Sequence, residues 1–552
     1  YVPMSHASPY LHLASAAEYR PFVTAERDRI AAVPLPQRDT ARLKIWNGVI
    51  SALGTADTDW ERELTRSSMT HNHNLSFAGG REDTRYRASL NYMDQEGIVL
   101  QSGFKRVQGR LNATHHAFDD RLRIGVNLTA SNLTNDYLPF EDEAGFEGAV
   151  FTNVAIFNPT LPVMTTNDVG RTIFYEIPGQ ISVRNPVALA EQIVDESRTT
   201  RALGNVVAEL DLLPGLTGQI NAGADRSESV RQTYLPDENP VGSQFQGLAR
   251  QVDRNLLSKT LQTLLTYRNT LFDVHAVDIV GGYEFNEYTT EEFGAEGRGY
   301  ITDLFSFYNL GGGQTLVPPF SWREDSRLVS FFGRANYSFD DTYYITGVLR
   351  RDGASQFGVG NKWALFPAVS ASWRVSKGDF LPDFVSELRL RAGWGKQGNA
   401  AVKPYQSLLL LGPGARAAFG TTAITTITQT QNANPNLKWE ETTQKNFAID
   451  YGFLNNRFTG SLEYYIKDTE DLLLEVDVPQ PANVRTRLEN IGSLKNTGID
   501  FIATLPDEKM LELIRAVEKD REITHVPLCR EEEGIGICAG AYLAGRRTAI
   551  IM

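Results

Sequence analysis

Arg85-Tyr86-Arg87-Ala88-Ser89-Leu90-Asn91-Tyr92 alternates polar and apolar residues without a break. A β-strand turns successive side chains to opposite faces, so this stretch has one polar and one apolar face. Leu122-Arg123-Ile124-Gly125-Val126-Asn127-Leu128 repeats the pattern, and Asn74-Leu75-Ser76-Phe77-Ala78 carries it into the turn Gly79-Gly80. Further along, the period of two returns over 205–212, 216–224, 257–267, 274–285, 328–339, 343–351, 364–375, 388–394, 446–453, 458–466 and 498–503. About fifteen candidate strands result, many near the ten-residue length that crosses a bilayer when tilted.

The links between these strands fall into two kinds. Asp340-Asp341 and Leu454-Asn455-Asn456 are short and suit tight turns at one rim. The links over 137–200, 286–327 and 397–443 are long and suit large loops at the other rim. Short turns on one side and long loops on the other characterise outer-membrane barrels. A β-sandwich rarely needs so many strands. No fixed repeat period points to a solenoid or propeller. Tyr343-Tyr344, Tyr464-Tyr465, Trp363, Trp373 and Trp394 sit at or near strand ends. Such rings favour the headgroup level of a bilayer, although cross-strand pairing in a core would also use them.

The composition agrees. Among 552 residues, Gly 46, Tyr 21 and Phe 28 suit tight turns and aromatic girdles. A formal net charge of −13 argues against a nucleic-acid partner, which needs a basic footprint. No run of ~18 apolar residues marks a transmembrane helix, and hydropathy does not register barrel strands. Over 15–65 the pattern is helical around Tyr19, Phe22 and Ile30. Cys529 and Cys538 match no zinc spacing and read as buried thiols. The chain opens at Tyr1 without a signal-peptide pattern and closes on Ala549-Ile550-Ile551-Met552. Both ends read as those of a fragment.

Several motifs resemble the SusC/RagA-type TonB-linked outer-membrane transporters. They include Asp59-Trp60, then His71-Asn72-His73-Asn74-Leu75-Ser76-Phe77-Ala78-Gly79-Gly80, and Tyr92-Met93-Asp94-Gln95-Glu96-Gly97-Ile98-Val99 with Phe104-Lys105-Arg106. Downstream stands Arg350-Arg351-Asp352-Gly353-Ala354-Ser355-Gln356-Phe357-Gly358, with Asn361-Lys362-Trp363 and Phe366-Pro367-Ala368. Leu388–Gly395 with Gly398-Asn399, and Asn434-Pro435-Asn436-Leu437-Lys438-Trp439-Glu440, complete the set. The resemblance covers about 14–496. It implies import of oligosaccharides or peptides across the outer membrane, a SusD-like surface lipoprotein over the barrel, and TonB as energy source. The family's plug, its TonB-contacting segment and its last strands have no counterpart here. About fifteen strands are also too few for the family's 22-stranded barrel.

Beyond about residue 498 the pattern changes. Gly498–Pro506 could be one more barrel strand or the first strand of an α/β unit, and the residues after Pro506 favour the second. Met510, Leu511, Leu513, Ile514 and Val517 have helical spacing. A strand–helix–strand order continues to Met552. This piece resembles the pyrimidine-binding thiamine diphosphate domain of the sulfopyruvate decarboxylase α subunit, close to phosphonopyruvate decarboxylase. By that resemblance Glu533 is the catalytic and cofactor-binding glutamate, set against the aminopyrimidine ring of thiamine diphosphate. Read by themselves, Arg530–Glu533 are a solvated charged helix start.

Other signals carry less. His71-Asn72-His73 spells a nuclease triplet but precedes an alternating strand. Gly311-Gly312-Gly313 lacks the Lys-Ser/Thr of a phosphate loop. Glu141-Asp142-Glu143 lacks EF-hand spacing. No metal site is expected.

The expected fold is therefore all-β: a partial antiparallel transmembrane β-barrel with a short C-terminal α/β fragment. Residues 1–70 form a helical lead-in, 71–496 the barrel and 497–552 the truncated enzyme-like piece. The expected function is a non-enzymatic outer-membrane nutrient importer, chimeric near residue 497 and inactive by itself. The alternative is a thiamine diphosphate-dependent decarboxylase subunit, read from the C-terminal piece.

Overall fold

The computed structural model describes residues 4–5, 13–35, 37–138, 149–178, 183–378 and 381–504. The strands begin with β1 (Met4–Ser5), β2 (Ser68–Gly80), β3 (Thr84–Glu96), β4 (Gly103–Ala117), β5 (Leu122–Asp136), β6 (Met164–Thr166) and β7 (Thr172–Phe174). Next come β8 (Val194–Leu213), β9 (Leu216–Leu235), β10 (Leu248–Leu271), β11 (His275–Arg298), β12 (Thr315–Phe339), β13 (Tyr343–Ala354), β14 (Trp363–Arg374) and β15 (Val385–Asn399). The last are β16 (Leu410–Phe419), β17 (Thr422–Gln431), β18 (Glu440–Phe453), β19 (Phe458–Glu470), β20 (Leu473–Asp477), β21 (Thr486–Asn490) and β22 (Ser493–Thr504).

Sixteen of them form one sheet, in the order β1-β2-β3-β4-β5-β8-β9-β10-β11-β12-β13-β14-β15-β18-β19-β22. Setting aside the two-residue β1 leaves fifteen, as the alternation predicts. Each strand pairs antiparallel with its neighbours in sequence order. The exceptions are three small hairpins, β6-β7, β16-β17 and β20-β21, which stand in the links. No helix among the described residues is long and apolar enough to cross a membrane.

Register assigns the two faces. Val126 lies opposite Val206, Val206 opposite Ala222, Ala222 opposite Leu261, Leu261 opposite Phe285, and Phe285 opposite Val329. This is one apolar row across six strands. One residue along, Asn127 Nδ2 donates to Asn205 Oδ1 (3.2 Å) and Asn205 Nδ2 to Asn221 Oδ1 (3.0 Å). The polar face also carries the pairs Arg123–Glu209, Arg268–Asp278, Arg350–Asp352 and Arg391–Asp450. On β12 the apolar face runs from Tyr337 through Ala335, Gly333, Phe331 and Val329 to Arg327. Ten steps of ~3.4 Å, tilted by ~40°, rise about 26 Å, which matches a bilayer's hydrocarbon core. Tyr343 and Trp373 stack at the lower edge of this band, 6.2 Å between rings.

Links at 81–83, 118–121, 214–215, 272–274, 340–342 and 454–457 gather at one end, with the described parts of the β14–β15 link, 375–378 and 381–384, and the long links gather at the other. Short turns use left-handed backbone: Leu454, Asn455 and Asn456 have φ of 54°, 56° and 59°. The buried hydrophobic clusters sit at or beside the long-loop end.

The structure bears on both ends of the wall. Helices α1 (Ala16–Ala31), α2 (Thr40–Ser51) and α3 (Trp60–Leu64) lie between β1 and β2, which pair directly through Met4 and Met69. The helical segment is thus a connection at the long-loop rim, ahead of the continuous wall. At the other end, β22 pairs with β19 from Ser493 to Thr504. The wall therefore continues past Asn496, and Gly498–Thr504 is a strand of the large sheet. The edge of β19 supplies a ladder partner for it, which local sequence could not reveal. The expected helices and strands of 505–552, with Glu533, Cys529 and Cys538, lie outside the described residues, as does Glu141-Asp142-Glu143.

Candidate functional site: the polar face and the long-loop rim

The rim is held by asparagines that precede prolines. A residue before proline is pushed to extended backbone, and an Asn there can cap the helix that the proline starts. Asn185, fully buried, accepts from the backbone N–H groups of Val187 (3.0 Å) and Ala188 (3.3 Å) at the start of helix Pro186–Gln192. Its Nδ2 donates to the carbonyls of Val163 (2.8 Å) and Tyr175 (3.1 Å), fastening the β6-β7 hairpin to that helix. Asn239 caps helix Pro240–Ser243 and donates to Gln192 Oε1 (3.0 Å), joining two rim links. Asn158 accepts from the Thr160 N–H (2.9 Å), and Asn434 donates to the Leu488 carbonyl (2.8 Å).

Two tryptophans anchor the packing. Trp60 meets Phe157 edge-on at 4.7 Å, and its Nε1 donates to the Asn158 carbonyl (3.2 Å). Trp439 packs on Phe357 (5.0 Å) and Phe366 (5.4 Å), with Nε1 donating to the Lys362 carbonyl (2.9 Å). The motifs at 350–358 and 361–368 therefore meet the distant motif at 434–440 in one cluster.

Glu176 lies in this rim with Oε1 accepting from the Asn185 N–H (3.2 Å). Burial pushes its carboxyl up to about 7, against the opposing pull of that N–H and of Arg184. Elsewhere on the rim, the β15–β18 and β19–β22 links enclose a groove of about 380 Å³ whose lining includes Lys403, Gln406, Gln431, Asn432, Glu475 and Arg487. Groove and wall face together present amides, guanidinium groups and carboxylates to water. That chemistry suits recognition of a hydrated, hydrogen-bonding cargo.

His71 and His73 lie on β2 with rings stacked 6.3 Å apart, on the apolar face with Leu75 and Phe77. Among the described residues, no group of three or more His, Cys, Asp and Glu could hold a metal ion. Asp340-Asp341 is a hairpin turn with φ of 47° at both residues, and Asp340 pairs with Lys377 at 2.8 Å. Gly311-Gly312-Gly313 lies in the β11–β12 link. Sequence reasoning does not single out the capping asparagines. Asn-Pro as a turn signal is the one clue it holds for them.

A wall that is apolar outside, polar inside, short-turned below and long-looped above is an outer-membrane type of β-barrel architecture. The chain belongs to the TonB dependent receptor-like, beta-barrel family, whose profile matches residues 32–513. It is 30% identical over 452 residues to TonB-dependent receptor P3 of Formosa agariphila, covering 81% of this chain and 44% of that protein. It is also 30% identical over 485 residues to TonB-dependent receptor SusC of Bacteroides thetaiotaomicron, covering 83% and 47%. The chain thus spans about half the length of these curated relatives. The solved RagAB peptide transporter has the same fold, with a TM-score of 0.75 at 24% identity, over 92% of this chain and 58% of that one. Separately, a 69-residue stretch is 46% identical to sulfopyruvate decarboxylase subunit alpha of Methanocaldococcus jannaschii, covering 12% of this chain and 41% of that subunit.

Proposed function

We propose that this chain is the barrel portion of a TonB-dependent outer-membrane importer of SusC type. Its cargo is an oligosaccharide or peptide, its partners a SusD-like surface lipoprotein and TonB. The observation that carries the reading is the two-faced fifteen-strand wall bearing a packed, polar long-loop rim. Family membership and the likeness to SusC and to the RagAB peptide transporter support it.

The described sheet begins at β1 and ends at β22, and these two edges do not pair with each other. An unpaired strand edge in lipid costs several kcal/mol per exposed backbone group. Import therefore requires further strands against both edges. Outer-membrane fractions should contain it in a heat-modifiable form. Its sole presence in a soluble fraction would overturn the proposal.

The likeness to sulfopyruvate decarboxylase favours a second reading for the C-terminal piece alone. There Glu533 would contact the aminopyrimidine of thiamine diphosphate, whose chemistry is to stabilise a carbanion at the carbon that loses carbon dioxide. Calorimetric titration with thiamine diphosphate tests this. Binding that Glu533→Gln abolishes supports it, and no heat of binding removes it. One long DNA read across codons 491–507 tests the chimeric join.

A further inference from the structure

The outward face is not symmetric from bottom to top. Its lower edge carries uncharged rings: Tyr267, Tyr337, Tyr343 and Trp373. Its upper edge carries charge. Lys259 and Arg327 share the single carboxylate of Glu287, at 3.3 and 2.7 Å. Lys396 pairs with Glu441.

Two cations near this edge have no carboxylate partner among the described residues. Arg351 of β13 faces outward beside Phe331 and Leu365, its guanidinium 5.1 Å from the centre of the Trp363 ring. Lys445 of β18 lies opposite Trp394, which in turn lies opposite Val369. Both tryptophans are exposed on the same face, Trp363 by 44% and Trp394 by 38%. Parity puts all four side chains on the apolar side of the sheet, so no residue of the polar face can neutralise them.

We propose that this edge holds phosphate-bearing lipid headgroups at two places, Arg351 beside Trp363 and Lys445 beside Trp394. The proposal rests on the reading of this wall as membrane-embedded. A cation at the boundary of a low-dielectric layer is unfavourable unless an anion meets it. At headgroup level the lipid itself supplies that anion. A guanidinium plane matches phosphate oxygens in pairs, an ammonium adds a point charge, and indole rings settle at the same depth. Lys396, already held by Glu441, belongs to neither place.

The test uses the full chain folded into phosphatidylcholine vesicles, with and without phosphatidic acid. Retention of phosphatidic acid is read by native mass spectrometry, after heat-modifiable migration has established folding. The chain should retain phosphatidic acid over phosphatidylcholine. Each of Arg351→Gln and Lys445→Gln should weaken that preference by about fivefold, the usual scale for one basic charge at a membrane surface. Lys396→Gln should leave it intact. A folded chain without preference, or a double variant that keeps it, overturns the lipid site and spares the membrane reading. Competition by inorganic phosphate at equal concentration also overturns it, by showing a site for a soluble anion. A chain recovered only from soluble fractions overturns both.

Discussion

Leu349 and Leu189 show how differently this chain uses one residue type. Leu349, on the outward face of β13, leaves 52% of its surface exposed, whereas Leu189, in the rim helix Pro186–Gln192, leaves none. Lipid completes the surroundings of the first, and protein completes those of the second. The wall therefore has almost no core of its own, and its stability depends on the solvent outside it. The rim packs against itself, with buried amides for backbone partners and tryptophans for filling. Substitutions should separate the two regions cleanly.

The largest effect belongs to the rim core. Trp60→Ala removes a side chain that is 1% exposed and should cost about 3–5 kcal/mol of local stability. Limited proteolysis should then cut within 149–193 while heat-modifiable migration of the wall persists. Simultaneous loss of both would mean that rim and wall unfold as one unit. Next is Leu349→Arg, on the lipid side one outward-facing position below Arg351, which should cost about 2 kcal/mol of folding into vesicles. The same arginine at Val348, one residue along and on the polar face, should cost far less. Denaturant titration in vesicles compares them, and equal costs would break the assignment of faces.

Acidity sharpens the contrast further. Glu176 titrates at about 7 in the folded rim against an ordinary 4.5. Between those values the native carboxyl keeps a proton that the unfolded chain has lost. The contribution of Glu176 to rim stability therefore falls as pH rises from about 4.5 to about 7, and is constant outside that window. Proteolysis of the rim should be slower at pH 5 than at pH 8, and Glu176→Gln should flatten the difference. The smallest effect concerns the short-turn end. Asn455→Ala puts a less tolerant residue at a φ of 56° and should cost about 1 kcal/mol, seen as slower folding into vesicles without altered rim cleavage.

Much of the wall can be read directly from the chain. Residues 85–92 alternate, and they form a strand whose alternate residues face opposite ways. Turns at Asp340-Asp341 and at 454–456 are equally visible, because two or three residues between alternating runs leave room for nothing else. The rim is not visible in this way. Asn185 caps a helix, ties a hairpin and sits fully buried, yet in sequence it is one polar residue in a long link. Trp439 is recognisable within a motif, but its meeting with Phe357 and Phe366 depends on chain folding across more than seventy residues. Gly498–Thr504 shows the limit at a join, since an alternating segment pairs with whichever edge is available, and here that edge is β19.

The sequence by itself determined which residues face lipid and which face water, because a strand's period of two is a local property of the backbone. It also determined which end carries short turns, because link length is written in the chain. Only the tertiary structure decided what the long links build, since the buried amides and ring clusters join segments that no local period connects. It also decided where Arg351 and Lys445 stand relative to Trp363 and Trp394, because register between strands, not order within one, sets neighbours across a sheet.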